Sequence, residues 1–323
     1  MRLLILILCI YSLSASALGP PETMTRAEYD KLMSEISNWG RWSENDEIGT
    51  LNLITPEKRQ SAAKLVSIGE AISLELDLVK VADEFNPSPL QHVLTPSKFG
   101  SHQVAGDQYC IDFHGVSHTH MDGLTHFAYR DAFYNNVPYS VAKASGSEKL
   151  GIEKMGESGV FTRGVLVDMP RHLGLPYLKP GTAITVSDLE DWERASGLKV
   201  SPGDVLLIRT GRWARIKSEG QWDILTSVAG LHASTAKWLK ERGVSMIGSD
   251  AVSDVTPSGV QDLTFPLHEL VIAGLGMPIL DNLDLEELSR RSADHKRAEF
   301  LFIAAPLRVP GGTGSPLNPL AVF

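Results

Sequence analysis

The chain has very little cysteine. Of its 323 residues only Cys9 and Cys110 carry a thiol, and Cys9 falls in the N-terminal apolar run. If that run is removed, no intramolecular disulfide can form, and the fold must be held by its core. A chain this long can bury about three quarters of its unfolded surface, which is enough for that. Basic charge is also short: 30 Lys and Arg stand against 39 Asp and Glu, a net charge of −9. An acidic balance argues against nucleic acid or an anionic membrane as a partner. A second long apolar run is missing as well. So is a Gly-x-Ser-x-Gly elbow, which counts against a serine hydrolase of the α/β type. The Gly311-Gly312-Thr313-Gly314 run has no following lysine and opens no helix, which excludes a phosphate-binding loop.

The one apolar run, Leu3 to Tyr11, follows Arg2 and is too short to span a bilayer. Ser14-Ala15-Ser16-Ala17 then offers small residues for cleavage. Together these read as a signal peptide over residues 1–17, cleaved after Ala17, so that the mature chain is exported. Residues 18–323 contain strands and helices in mixture, with no internal repeat and no linker. That pattern suits a single α/β domain.

Local signals set the expected elements. Thr25 and Glu28 form a capping box for a helix running to about Asn38. Thr55-Pro56 opens another, with proline at its tolerated first position. Ile72, Leu74, Leu76 and Leu78 alternate as in a strand, and residues 83–108 read as a Pro/Ser/Gly/Gln-rich loop bordering a site. Further strands are expected at Val160–Met169, Val205–Thr210, Val244–Gly248 and Glu299–Val309. Helices are expected after Ser187, over Ser234–Arg242 and over Leu285–Arg291.

The densest chemistry lies in His114-Gly115-Val116-Ser117-His118-Thr119-His120-Met121-Asp122-Gly123-Leu124-Thr125-His126, which holds four of the ten histidines. If this stretch is extended, alternate side chains share a face, which puts His118, His120 and Asp122 together. His114 and His126 share that parity if no bend intervenes. Imidazoles beside a carboxylate suit a divalent ion such as zinc or manganese. Asp250 and Asp254 could orient such imidazoles or serve as turn caps. Trp39, Trp42, Phe127, Tyr129 and Phe133 could wall a planar substrate. Glu44, Asp46 and Glu47 read as a solvated acidic turn.

Trp39-Gly40, the block Glu47-Ile48-Gly49-Thr50-Leu51-Asn52, the histidine stretch from His118 to His126, Gly248-Ser249-Asp250-Ala251, and His268 through Leu283 occur in an order that resembles the Putative cyclase family. That family includes bacterial kynurenine formamidases and isatin hydrolases. The resemblance implies a swivelling β/β/α fold, a homodimer or homotetramer, and one or two divalent ions. It implies His120, Asp122, His268 and Asp281 as metal ligands and His126 as the proton-transfer residue. The family's first histidine would fall at Val116, so His118 is expected to supply the missing ligand, with His114 as the nearby alternative. The chemistry implied is hydrolysis of an amide, formamide or cyclic amide, with a small, possibly aromatic, molecule as substrate. A catalytically silent metal- or ligand-binding relative and a metal-dependent lyase are the competing classes. The first of these expectations to test is export. Sequencing the secreted protein should give Leu18 as its first residue, and a product still beginning at Met1 contradicts the cleavage site.

Overall fold

The computed structural model describes residues 18–323, so the expected signal peptide lies outside the described residues. A nine-stranded sheet organises the chain. Its strands are β1 (Ala71–Ser73), β2 (His120–Asp122), β3 (Val160–Asp168), β4 (Val205–Arg209), β5 (Met246–Ser249), β6 (Ile279–Asp281), β7 (Glu299–Ala304), β8 (Gly314–Pro316) and β9 (Leu320–Val322). Their order across the sheet is β1-β9-β7-β3-β4-β5-β6-β2-β8. The block β3-β4-β5-β6 is parallel, as expected of strands separated by helices. Antiparallel strands extend it on both sides. All five residues of β4 are buried, and it reads as an uninterrupted apolar run up to Arg209.

The capped helices form where their signals place them. Arg26–Ile36 opens on Thr25, whose N–H donates to Glu28 Oε2 (2.8 Å) while Glu28 N–H donates to Thr25 Oγ1 (3.3 Å). Tyr29, Met33 and Ile36 are its buried stripe. Thr235–Arg242 ends on Gly243, which takes the left-handed conformation that glycine adopts freely. The helix Val186–Ser196 is capped from Thr185, whose N–H donates to Asp188 Oδ2 (2.8 Å), and not from Ser187.

Two expectations need correction. Residues 83–108 are not a plain loop. They contain most of a hairpin of two nine-residue strands, Gln91–Phe99 and His102–Cys110, which stands off the body for about 30 Å. Thr95, Val93, Val104 and Tyr109 gave it strand character, but Pro96, Gly100 and Gly106 masked the pattern. The acidic turn, in turn, is not simply solvated. Asp46 accepts from Gly49 N–H (2.8 Å), Asn52 Nδ2 (2.6 Å) and Tyr134 Oη (3.1 Å), and Glu47 accepts from Leu150 N–H (2.7 Å).

That turn explains the Gly49-Thr50 pair. Thr50 N–H donates to the carbonyl of Gly276 (2.8 Å), which follows the π-helical segment Glu269–Leu275, and its hydroxyl donates to the Ser245 carbonyl (2.7 Å). Gly49 has φ +55°, and a Cβ there would lie 1.9 Å from the Gly276 oxygen. Gly49→Ala should therefore destabilise the fold by about 1–3 kcal/mol, read as a lowered Tm in thermal melts. An unchanged Tm would mean the contact is not held in solution.

Candidate metal centre

The centre forms at the C-terminal ends of β5 and β6, the position that open α/β sheets use for ligands. β2 runs antiparallel beside β6 and sets His120 opposite Asp281 and Asp122 opposite Ile279. Downstream of β2 the chain turns at once. Gly123 N–H donates to the Thr313 carbonyl (2.8 Å), His126 N–H donates to the Gly123 carbonyl (3.1 Å), and His126 Nε2 comes within 3.7 Å of Asp122 Oδ1. Upstream, residues 114–118 form a bend around Gly115, which has φ +141°.

This bend overturns the parity argument. The extended segment covers only His120–Asp122, so alternation does not reach back to His118. His114 Nδ1 is the atom 2.9 Å from Asp122 Oδ1, and its ring stacks on His126 at 3.9 Å, 3° from parallel. His118 is buried, and it stands outside both ligand groups described below. His114, the alternative, is therefore the histidine that reaches Asp122, and His118 does not join it.

The bend is held by residues that sequence reasoning passed over. Arg212 Nη2 donates to the Val116 carbonyl (2.8 Å) and Nη1 to Asn282 Oδ1 (2.7 Å). Asn282 Nδ2 donates to the carbonyls of Gly115 (2.7 Å) and His118 (3.0 Å). Asn282 immediately follows Asp281, so one strand end delivers a carboxylate to the centre and a clamp to the bend.

Two groups of side chains share Asp122: His114, Asp122 and His126 in one, and His120, Asp122 and Asp281 in the other, with candidate ligand atoms within 4.8 Å of one another in each. His268 adds Nε2 at 3.3 Å from Asp281 Oδ2 and 3.6 Å from Asp122 Oδ2. His268 Nδ1 meets Asp254 Oδ2 at 2.5 Å, and Asp254 also accepts from the N–H groups of Leu267 and His268. Asp254 therefore both caps that turn and fixes the His268 ring. Asp250 does neither for the histidines: it accepts from the N–H groups of Thr210, Gly211 and Arg212. His120 Nδ1 donates to the His118 carbonyl (2.8 Å), which leaves Nε2 as the atom facing Asp122.

The electrostatics follow from burial of three carboxylates among imidazoles. Burial opposes ionisation of Asp122, but His126 and His120 beside it win and hold its carboxyl well below the usual range. Burial alone pushes the Asp254 carboxyl up. For His120 burial works downward, yet the Asp122 charge and hydrogen bond raise it to about 9. His126 goes the other way: burial, reinforced by His114 and His268, pushes it down to about 4 against the pull of Asp122. His126 is therefore a neutral base at neutral pH.

Both oxygens of Asp122 are buried, and among the described residues no backbone N–H or hydroxyl donates to them; only imidazoles approach, His114 Nδ1 at 2.9 Å and His120 Nε2 at 3.4 Å from Oδ1. A buried anion is costly by several kcal/mol unless its charge is matched. A divalent cation is the partner that this set of oxygen and imidazole donors fits. Of the expected aromatic wall, Phe127 reaches the centre, 4.9 Å from the His268 ring and 5.0 Å from His126. Phe133 is core, and the Trp39 indole donates to the Ala273 carbonyl. Phe113 and Phe265, not foreseen, pack on His114 and His268.

The geometry separates the histidines by experiment. His114→Ala should weaken divalent-metal binding by more than about 100-fold, while His118→Ala should stay within about tenfold of the parent. Asp254→Asn should fall between them, as expected for loss of the group that orients a ligand. Calorimetric titration with Mn²⁺ or Zn²⁺ measures all three, and a larger loss in His118→Ala would contradict the assignment.

No curated protein matches the chain. A crystal structure described as a novel cyclase is 31% identical, covers 90% of this chain and 99% of its own, and superposes with a TM-score of 0.81. Isatin hydrolase A from Ralstonia solanacearum is 19% identical over 79% of this chain and 92% of its own, with a TM-score of 0.55. An isatin hydrolase bound to the product analogue thioisatinate is 18% identical over 83% of this chain and 99% of its own, with a TM-score of 0.54. These last two share the fold. The sequence profile described as Putative cyclase matches residues 68–254, and the chain belongs to that family.

Proposed function

We propose that this chain is a metal-dependent hydrolase of carbon–nitrogen bonds, acting on a small amide, formamide or cyclic amide. The observation that carries the reading is Asp122: a buried carboxylate approached only by imidazoles, at the meeting point of His114, His120, His126, His268 and Asp281. We assign His120, Asp122 and Asp281 as principal ligands, with His268 and His114 completing the shell. A zinc or manganese ion bound there would serve as a Lewis acid that lowers the pKa of water toward about 7 and polarises a carbonyl.

The chain's own residues supply the rest. His126 is neutral and half-buried, with Nε2 3.7 Å from Asp122 Oδ1, so it can take a proton from water at that atom and return it to a departing amine. Asp281 is fixed by Ser253 Oγ, which donates to its Oδ1 (3.0 Å). Asp254 keeps Nδ1 of His268 engaged, so Nε2 stays directed at the carboxylates. Phe127 and Phe265 form an apolar edge beside these rings, suited to a flat substrate and to excluding water. The isatin hydrolases among the similar structures support a cyclic amide within this class.

The test joins metal content to a substrate panel. The purified protein should hold stoichiometric divalent metal, hydrolyse at least one member of a panel of formamides, lactams, imides and carbamates, and lose that activity with chelator. His126→Asn should retain the metal and lower kcat by about 10²- to 10⁴-fold. Metal-loaded protein inert to the whole panel, or His126→Asn at full rate, would contradict the proposal.

A further inference from the structure

Arg212 does more than clamp the bend. It opens the helix Arg212–Glu219 and is only 7% exposed. Its Nη groups are spent on Val116 and Asn282, but Nε is buried without an acceptor. Arg209, one turn of chain earlier, shows the usual solution, paired with Asp168 and Glu286 at 2.9 Å each. Arg212 forms no such ion pair among the described residues. The nearby Asp250 carboxylate is consumed by the N–H groups of Thr210, Gly211 and Arg212 and by the Thr210 hydroxyl. The Trp213 ring covers one face of the guanidinium at 4.2 Å. Asp250 and Asp281 attract the guanidinium from a distance, but no carboxylate among the described residues contacts it, and a buried charge without a contact partner is costly. Burial pushes the Arg212 pKa down to about 10, against Asp250 and Asp281, so the group still carries its charge at neutral pH.

This cation lines a cavity of about 360 Å³, a size typical of small-molecule sites. Its other walls are mainly apolar: Phe85, Val116, Trp222, Ile224 and Leu225. Two carboxylates lie at the exposed rim, and Asp223 is already engaged by Leu225 N–H and the Thr226 hydroxyl. The cavity adjoins the metal centre. Val116 belongs to the histidine bend, and Phe265 of the same apolar cluster lies 5.8 Å from His268.

We infer that this cavity is a binding site for a small organic carboxylate with a flat apolar body. The carboxylate supplies the contact ion pair that Arg212 lacks, and the body lies against Trp222 and Phe85. With both Nη groups engaged, the contact is one charge-assisted hydrogen bond from Nε. Binding there requires no hydrolysis, so it stands or falls separately from the reaction proposed above.

The test compares benzoate with the neutral benzyl alcohol on the metal-loaded full-length protein, by calorimetry and tryptophan fluorescence. Benzoate should bind at least about tenfold more tightly, the effect of one charge-assisted contact. Arg212→Gln should abolish that preference. Because Arg212 also holds the bend, a second variant is needed: Leu225→Trp fills the cavity from its exposed edge. It should lose benzoate binding while keeping its full metal content. Equal affinities for the two probes would overturn the inference, as would a preference surviving in Arg212→Gln. Undiminished benzoate binding in Leu225→Trp would also overturn it, since the carboxylate would then be held at the metal.

Discussion

Everything around the centre answers to one constraint, the burial of the Asp122 carboxylate among imidazoles, with no backbone or hydroxyl donor on either oxygen among the described residues. A carboxylate taken out of water must be neutralised, hydrogen-bonded or given a cation. Here neutralisation is opposed by His120 and His126, which favour the charged form. Hydrogen bonding is limited to the imidazoles, with His114 Nδ1 at 2.9 Å and His120 Nε2 at 3.4 Å from Oδ1. What remains is positive charge, and the neighbours are arranged to share it: His120 and Asp281 on one side, His114 and His126 on the other, His268 above. Asp254, one bond removed, steadies His268 as a carboxylate behind a ligand imidazole is expected to do.

The backbone delivers these groups by three different local geometries. A three-residue strand sets His120 and Asp122 on the sheet, opposite Asp281. A tight turn after Gly123 brings His126 back over Asp122, and Gly123 sits so close to Thr313 that a Cβ would lie 2.9 Å from its carbonyl oxygen. A bend before the strand swings His114 in, and the Arg212–Asn282 clamp holds the carbonyls of Gly115, Val116 and His118. The same guanidinium that fixes the bend faces the neighbouring cavity, so positioning of the centre and the character of that cavity depend on one buried charge.

The parts of this arrangement visible in the sequence are those set by short-range rules. Capping residues marked the helices at Thr25 and Thr55, and apolar runs marked β3, β4 and β5, because such signals act within a few residues. The motif spacing grouped His120, Asp122 and His126, and the later blocks pointed to His268 and Asp281. Three features escaped. The bend over residues 114–118 broke the alternation that put His118 forward, since the extended segment begins only at His120. The exposed hairpin hid behind Pro96, Gly100 and Gly106. Arg212 and Asn282 act across about 70 to 170 residues of chain, and no local pattern marks a long-range hydrogen bond.

The most direct measurement is anomalous diffraction from crystals of the protein soaked in Mn²⁺. The account requires a strong peak beside the Asp122 carboxylate, within coordinating distance of His120 and Asp281. A second peak between His114 and His126 would mark a two-ion centre. A protein that takes up manganese only at exposed acidic surfaces, leaving the Asp122 oxygens without an ion, would contradict the claim that this carboxylate is buried for a metal.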